Sequence, residues 1–185
     1  LKDGDFFRNS ILKNALDYAN DNNKAVHVMG LLSDGGVHSH EEQIHGMLEM
    51  AHKRECKKVY LHLFTDGRDC AQKSAKKYIQ KVEDKIAELG TGEIASIIGR
   101  YFSMDRDNRW SRVRCAYELI SKGKSKFLAK TAMEAVDLAY DRGETDEFIQ
   151  STAIKAPIKI KKGDVLIFMN YRADRARQIT QAFTD

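Results

Sequence analysis

The sequence predicts an α/β protein, a three-layer α/β/α sandwich in which a mostly parallel β-sheet lies between two layers of helices. Short apolar runs alternate with longer amphipathic stretches along the chain, and this alternation is typical of strand–helix units built on a parallel sheet. The apolar runs are nearly continuous, as expected for strands that are covered on both faces. The 185 residues are enough for one domain with its own core.

Four apolar runs are predicted to be strands, at residues 25–32, 58–64, 93–99 and 164–170. Helical patterns flank them at about 8–22, 40–54, 73–89, 108–121 and 131–142, with a last helix from 174. The segment 147–162 contains the single proline, Pro157. Because proline cannot donate to a sheet ladder, this segment is predicted to be irregular or to form edge strands, antiparallel ones included. The sheet is therefore expected to be mixed at its edge.

Composition and cysteine usage favour a globular protein of the cytoplasm. Apolar residues make up 42% and charged residues 31% of the chain, an ordinary balance for a globular domain. No apolar run approaches the roughly 20 residues that cross a bilayer, and the first residues lack a signal-peptide pattern. The three cysteines form no CxxC pair, which fits reduced thiols. Because Leu1 is no natural start, the chain is expected to begin inside a longer polypeptide.

Each predicted strand runs into a polar segment. The four segments are SDGGVHSH at 33–40, TDGRD at 65–69, GRYFSMDRDNRW at 99–110 and NYRADRAR at 170–177. Because ligands of open α/β sheets bind outside the carboxyl ends of the strands, we expect these segments to meet at one rim. Five arginines would be collected there: Arg68, Arg100, Arg106, Arg172 and Arg175. They would focus positive potential into a cleft suited to a phosphate with a neighbouring carboxylate.

Histidines in the first segment allow a second interpretation, a metal-dependent hydrolase. His38 and His40 form an HxH pattern after a strand, with His45 close behind, and neutral imidazoles are good zinc ligands. No histidine follows His62, so further ligands would have to be carboxylates. His40 and His45 also fall in the first turns of a predicted helix, where capping or surface roles compete with metal binding. His27 and His62 lie within strands and are predicted to be core residues with satisfied hydrogen bonds.

A nucleic-acid-binding module is a third interpretation. The net charge is only +4, from 31 Lys+Arg and 27 Asp+Glu, and such a small excess says little about nucleic acid. The arginine-bearing segments also hold few aromatic side chains for base stacking, namely Tyr101, Phe102, Trp110 and Tyr171. We therefore expect neither a nucleic-acid partner nor a membrane partner.

Some features of the polar segments also have purely structural explanations. Gly35 and Gly36 could form only a tight turn, and Arg68 could form a structural ion pair with Asp69. The arginines at 109–114 fall on a predicted helix, and at least two of them are expected to be solvated or salt-bridged.

The strands and their polar segments together resemble the cofactor-independent (2,3-bisphosphoglycerate-independent) phosphoglycerate mutases. The stretches that carry the resemblance are MGLLSDGGVHSH, LHLFTDGRD, ASIIGRYFSMDRDNRW and FMNYRADRARQITQAF, in the family's order, and the match extends over nearly all of residues 3–183. The resemblance implies that residues 1–185 are the substrate-binding domain for 2- or 3-phosphoglycerate. It also implies a second, alkaline-phosphatase-like domain of the same polypeptide, with a phosphorylated serine and two divalent metal ions, usually Mn²⁺. Nothing in this chain resembles that domain, so no metal site and no mutase activity are expected of the chain alone.

The resemblance also implies a set of substrate-site residues: His38, Arg68, Asp69, Arg100, Arg106, Arg172, Asp174 and Arg175. Asp69 is the expected general base for the attacking glycerate hydroxyl. Arg172 and Arg175 suit paired contacts with anionic oxygens, and they would share a helix face if a helix begins there. His38 is expected to hydrogen-bond the phosphoryl group or a hydroxyl. Residues 70–72, Cys-Ala-Gln, stand where the family usually has a threonine or valine followed by prolines, so this loop departs from the family's pattern.

Overall fold

The computed structural model describes residues 4–185. Within these residues one sheet has six strands: β1 (Val26–Leu32), β2 (Val59–Thr65), β3 (Glu93–Gly99), β4 (Phe127–Ala129), β5 (Thr152–Ile154) and β6 (Val165–Phe168). The helices are α1 (Asp5–Arg8), α2 (Ser10–Asp21), α3 (Glu41–Lys53), α4 (Ala75–Leu89), α5 (Arg100–Ser103), α6 (Trp110–Lys122), α7 (Ala132–Asp141) and α8 (Arg177–Thr184). One 3₁₀ turn covers Asp146–Phe148.

The strand order in the sheet is β4-β5-β3-β2-β1-β6. Strands β3, β2, β1 and β6 pair in parallel, whereas β5 runs antiparallel to β3 and parallel to β4. The predicted α/β class and the mixed edge are both confirmed. Strand β4 was not predicted, because its three residues are too few to form an apolar run and its central Leu128 is exposed.

Two apolar cores separate the sheet from the helices. Alternate residues of β1 point to opposite faces, so Val28 and Leu32 contribute to one core and Met29 and Leu31 to the other. The first core is closed by α2, α3, α4 and α7, and the second by α6 and α8. Helices therefore cover both faces of the sheet, which confirms the three-layer architecture.

Side chains cap the starts of several helices, either from a residue next to the helix or from a residue far along the chain. The Asn9 side chain accepts hydrogen bonds from the first turn of α2 at 3.0 and 3.2 Å, as is common at helix starts. His40 caps α3, where its Nδ1 accepts from the Glu42 amide at 3.3 Å and Gln43 completes a capping box. Helix α4 receives its cap from far along the chain, because an Asp146 oxygen accepts the amides of Ser74 and Ala75 at 2.7 and 2.9 Å. The capping role considered for His40 is thus observed.

The strand histidines form a buried hydrogen-bonded row across the sheet. His27 Nδ1 lies 3.0 Å from His62 Nε2, and His62 Nδ1 lies 2.8 Å from Ser96 Oγ. Asp164 approaches the other end of the row, 3.4 Å from His27 Nε2. Burial, with a smaller contribution from His27, lowers the pKa of His62 to about 3. Both histidines are core residues, as predicted. The prediction of satisfied hydrogen bonds holds for His62 but not for His27, whose buried Nε2 has no hydrogen-bond partner in residues 4–185.

The starts of two helices and the presence of the short helix α5 differ from the prediction. The last helix begins at Arg177 rather than 174, because residues 173–176 form a turn whose polar side chains bond to neighbouring segments instead. The short helix α5 occupies the start of a segment predicted to be a loop, and α6 begins at Trp110 rather than 108. Among residues 4–185, no helix is long and apolar enough to span a bilayer.

Candidate functional site

The four polar segments meet at the carboxyl edge of β1, β2, β3 and β6, as the sequence predicts. The parallel pairing of these strands brings their ends to the same side of the sheet. Side-chain contacts then connect the segments: Arg100 reaches Asp66 and Asp69, and Arg106 reaches Asp174. The expected residues therefore form one cluster, whose chemical roles stay predictions.

The most buried part of the cluster is an arginine shared by two carboxylates. Arg100 Nη1 donates to Asp66 Oδ1 at 2.7 Å and to Asp69 Oδ2 at 2.6 Å. Burial opposes the charge of Arg100, but hydrogen bonds from it to Asp69 and Asp66 outweigh burial and raise the pKa of the guanidinium. The three side chains thus form a compact ionic unit beneath the rim.

Arg68 and Asp69 do not pair with each other. Arg68 Nη1 lies 3.3 Å from Glu147 Oε1, at the 3₁₀ turn. Asp69 pairs with Arg100 instead. The structural ion pair considered for these neighbours is therefore wrong, because their side chains contact different segments. Each is held by a residue that lies at least thirty positions away in sequence.

A second ionic unit lies nearer the solvent. Asp174 Oδ2 accepts a hydrogen bond from Arg106 Nη1 at 3.0 Å. Asp174 Oδ1 forms an ion pair with Arg172, whose Nε lies 2.9 Å away. Partial burial opposes ionisation of Asp174, but the hydrogen bond from Arg106 and the charge of Arg172 outweigh it and lower the pKa of this carboxyl. Because Arg172 and Arg175 precede α8, they do not share a helix face as the sequence suggested.

His38 lies between the two ionic units. Its buried Nδ1 is 3.6 Å from Asp174 Oδ1, and neither atom has a hydrogen-bond partner in residues 4–185. Burial and the nearby charge of Arg100 lower the pKa of His38, against the opposing charges of Asp174 and Asp69. A neutral imidazole with an unused ring nitrogen at this point is suited to hydrogen bonding with a bound ligand.

A polar cavity of about 360 Å³ opens beside these groups. Its walls include Arg68, Arg100, Tyr101, Asp105, Arg106, Asp107, Arg109, Arg112, Glu147, Phe148 and Arg175. Burial and the charges of Arg106, Arg100 and Arg68 lower the pKa of Arg175. Its Nη1 donates to the Met104 carbonyl at 3.2 Å. Arginines crowded together in this way repel one another until an anion joins them, so the cavity favours an anionic ligand.

The GlyGly pair forms a turn and also makes a close contact with the site. Gly36 has φ 68°, a conformation that favours glycine. A Cβ atom on Gly35 would lie 2.9 Å from Asp69 Cβ, so a side chain at this position would displace Asp69. The Tyr171 hydroxyl donates to the Gly36 carbonyl from the fourth polar segment. The pair therefore forms the tight turn considered from the sequence, and Gly35 also packs closely against Asp69.

Several residues of the site were not singled out from the sequence. Asp66 stands inside the TDGRD motif, where its position after a strand was the available signal. Glu147 gave no signal, since it belongs to a segment predicted to be irregular. Arg109 and Arg112 line the cavity, and Arg112 stacks 3.7 Å above the Tyr101 ring while pairing with Asp105. The expected salt-bridging of arginines 109–114 is confirmed, with Arg114 bound to Glu118 at 3.3 Å.

The described residues do not offer a metal site. No group of three or more His, Cys, Asp or Glu side chains in residues 4–185 could hold a metal ion. The two histidines of the HxH pattern contact different groups, because His40 caps α3 whereas His38 lies against Asp174.

The loop at 70–72 leads from the site into α4. The Gln72 carbonyl accepts the Asp146 amide at 2.9 Å, and Ser74 Oγ donates to the Ala71 carbonyl at 2.7 Å. Cys70 Sγ lies 3.3 Å from Ser74 Oγ. The loop that departs from the family's pattern is thus fixed by hydrogen bonds at several points.

Comparison with known proteins gives the same family from three directions. A family model described as "BPG-independent PGAM N-terminus" matches residues 1–185. The chain is 84% identical to a 2,3-bisphosphoglycerate-independent phosphoglycerate mutase of Ruthia magnifica and 56% identical to one of Aeromonas salmonicida. Both alignments cover 100% of this chain, which spans 36% of the length of either relative.

A solved structure extends the likeness to three dimensions. The crystal structure of Leishmania mexicana phosphoglycerate mutase at low cobalt concentration matches with a TM-score of 0.91 at 29% sequence identity. The match covers 100% of this chain and 36% of the other.

Proposed function

Because the chain belongs to the family of 2,3-bisphosphoglycerate-independent phosphoglycerate mutases, we propose that it is the substrate-binding domain of an enzyme that interconverts 2- and 3-phosphoglycerate. The observation that carries this proposal is the convergence of six arginines on one polar cavity, with the partly exposed carboxylate of Asp69 bound to one of them, Arg100. The six are Arg68, Arg100, Arg106, Arg109, Arg112 and Arg175. The remainder of the polypeptide, which the chain's relatives have, is proposed to supply the serine that carries the phosphoryl group. A cytoplasmic location follows from the sequence and stays a prediction.

The ligand's charges fit the cavity. Phosphoglycerate carries a carboxylate and a phosphate, and guanidinium groups bind both through charge-assisted, often bidentate hydrogen bonds. Arg175 is poorly compensated by acidic neighbours, whereas Arg68 and Arg172 are about half exposed and each has one acidic partner. To bind a ligand, each of these three arginines has to break no more than one exposed ion pair. Exposed ion pairs contribute little to stability, so the exchange costs little free energy.

Asp69 is proposed to act as the general base. Arg100 engages its Oδ2 atom, which leaves Oδ1 for the hydroxyl of bound glycerate. The glycerate hydroxyl loses its proton to Asp69 as its oxygen forms the new bond to phosphorus, and the serine oxygen leaves. In the preceding transfer the same carboxyl, then protonated, gives its proton to the ester oxygen of phosphoglycerate as the phosphoryl group passes from that oxygen to the serine. Glycerate stays bound between the two transfers, and the arginines hold it while it reorients.

The metal ions expected of the family would be bound outside this chain. When bound, two Mn²⁺ ions would supply charge stabilisation to the phosphoryl group in transfer. Residues 4–185 are proposed to contribute grip, orientation and proton transfer, which account for much of the catalysis in a reaction of this class.

A direct assay tests the proposal. The full-length protein that contains this chain is incubated with 3-phosphoglycerate and Mn²⁺, without added 2,3-bisphosphoglycerate, and the product is followed by ³¹P NMR. We expect 2-phosphoglycerate to form. The 185-residue chain, checked for folding by circular dichroism, is expected to give no turnover under the same conditions. Absence of turnover by the full-length protein contradicts the proposed function, and turnover by the folded chain alone contradicts the division of labour.

A further inference from the structure

We propose that Asp66 is a positioning residue, which fixes Arg68, Asp69 and Arg100 in one arrangement without touching the substrate. Asp66 lies just before the GRD stretch and its side chain is 1% exposed. Because the groups that it positions belong to the proposed substrate site, the inference rests on the proposed function.

Four donors converge on this one carboxylate. Its Oδ1 accepts the backbone amides of Arg68 and Asp69 at 3.1 and 3.0 Å. The same oxygen accepts from Arg100 Nη1 at 2.7 Å, and Oδ2 accepts from Ser33 Oγ at 2.5 Å. An ionised carboxylate has about four acceptor sites. All four bonds come from groups of the protein, and the burial of the side chain keeps a ligand from the remaining acceptor position on Oδ2.

These contacts join three strand ends. Ser33 follows β1, Asp66 follows β2 and Arg100 follows β3. The amides fix the backbone from which the Arg68 and Asp69 side chains leave, and the ion pair fixes the guanidinium to which Asp69 is bound. Asp66 thus sets the distance between the proposed base and its arginine partner.

Sharing of Arg100 gives Asp66 an electrostatic role as well. Burial alone would raise the pKa of Asp66, but hydrogen bonds from the Asp69 amide, Ser33 and Arg100 outweigh it and lower the pKa. Asp66 is thus a buried anion that takes half of the bonding of Arg100 Nη1. Without that charge Asp69 would be the one carboxylate bound to Arg100, and it would be drawn towards the guanidinium and away from the cavity.

The test uses two substitutions in the full-length protein. Asp66→Asn keeps an acceptor oxygen for the amides but removes the charge, whereas Asp66→Ala removes both. Since misplacement by about 1 Å can cost about a hundredfold in rate, we expect kcat/KM to fall about tenfold in Asp66→Asn and at least a hundredfold in Asp66→Ala. Asp164→Asn is the matched control, because Asp164 also accepts two backbone amides, at 2.9 and 2.7 Å, but lies at the opposite edge of the sheet. Its kcat/KM should stay within about twofold of the parent value.

A double-mutant cycle separates positioning from simple stabilisation. If Asp66 acts through Asp69, Asp66→Asn should lower kcat/KM about tenfold in the parent but less than about threefold in an Asp69→Asn background. A merely structural loss would reduce the active fraction equally in both backgrounds. Equal effects in the two backgrounds would therefore overturn the inference.

Amide hydrogen exchange gives a reading that does not depend on activity. The amides of Arg68 and Asp69 should exchange at least tenfold faster in Asp66→Ala than in the parent, and near the parent rate in Asp66→Asn. Unchanged exchange in Asp66→Ala would contradict the inference. A parent protein without mutase activity, combined with the expected exchange pattern, would remove the proposed function and leave Asp66 as the group that holds this loop.

Discussion

The two ionic units of the site differ in how firmly the protein holds them. The inner trio, defined as Asp66, Asp69 and Arg100, is built around an arginine that is 3% exposed. The outer trio, defined as Arg106, Arg172 and Asp174, has arginines that are 47% and 48% exposed. Buried ion pairs with further hydrogen bonds are costly to break, whereas exposed pairs contribute roughly 0–1 kcal/mol. The inner trio is therefore preorganised, and the outer trio can exchange its contacts for those of a ligand.

This difference fits a reaction in which the ligand must turn while it stays bound. A general base needs a fixed position, because proton transfer depends on hydrogen-bond geometry. Groups that grip a reorienting anion need freedom to follow it. Its bond to the buried Arg100 gives Asp69 the first property, and exposure gives Arg106 and Arg172 the second. His38, which is buried but has an unused nitrogen beside Asp174, links the two trios.

The largest expected effect comes from removing the base while its shape is kept. Asp69→Asn should lower kcat by about 10²–10⁴, the range for a positioned acid–base group, while phosphoglycerate binding measured by calorimetry stays largely intact. The amide retains an acceptor, and removing a negative charge near an anion does not weaken binding. Asp174→Asn, in the outer trio, should lower kcat far less.

The opposite pattern would assign Asp69 another role. If it serves only to hold Arg100, its loss should loosen the arginine and weaken binding, with near-normal kcat at saturating substrate. That result would exclude the general base and leave the substrate site in place. It would also erase the functional contrast between the trios.

A second contrast concerns the pH at which protonation lowers the stability of the fold. It compares the buried His62 with Asp174 of the outer trio. The pKa of His62 is lowered to about 3 in the folded protein, against about 6.5 when unfolded. The unfolded chain therefore binds more protons below pH 6.5, and the stabilisation by neutral His62 is lost as pH falls towards 3. Between pH 7 and 5 the free energy of unfolding should decrease by about 2 kcal/mol from His62.

Urea unfolding at pH 7 and pH 5 measures this effect, with His62→Gln as the variant that should flatten the pH dependence. Asp174→Asn is the comparison. The lowered pKa of Asp174 stabilises the fold above its unfolded value near 3.8, and this contribution is lost only below it. Asp174→Asn should therefore leave the change between pH 7 and 5 as it is in the parent. An unaltered slope in His62→Gln would show that other groups control acid stability.

The sequence predicted the parallel sheet and its rim because both depend on local signals. Continuous apolar runs identified β1, β2, β3 and β6, and parallel pairing then required their polar exits to meet. Strand β4 escaped prediction because it is three residues long and exposed at its centre.

The residues of the site could be predicted from the sequence more readily than the ion pairs that they form with one another. Neighbours in sequence suggested that Arg68 binds Asp69, yet each pairs with a residue from another segment. The start of α8 was also misplaced, since helical periodicity cannot tell that residues 173–176 turn their polar groups to the site. Such contacts depend on tertiary packing, which a single sequence does not encode in its spacing.

The smallest expected effect compares two exposed arginines that belong to different segments. Arg68→Ala and Arg172→Ala should each remove charge-assisted hydrogen bonds to the ligand, and kcat/KM should fall at least tenfold in both. Because both side chains are about half exposed, their ion pairs with Glu147 and Asp174 add little to stability, and the melting temperature should change little. Arg114→Ala is the control, since Arg114 is exposed on α6, pairs with Glu118 and belongs to neither ionic unit of the site. Steady-state rates at low and high salt complete the test, because contacts made by exposed arginines should weaken as salt screens them. Variants with parental kcat and KM would show that these arginines are surface groups. Arg106 and Arg175 would then be the remaining candidates for ligand contacts in the outer part of the site.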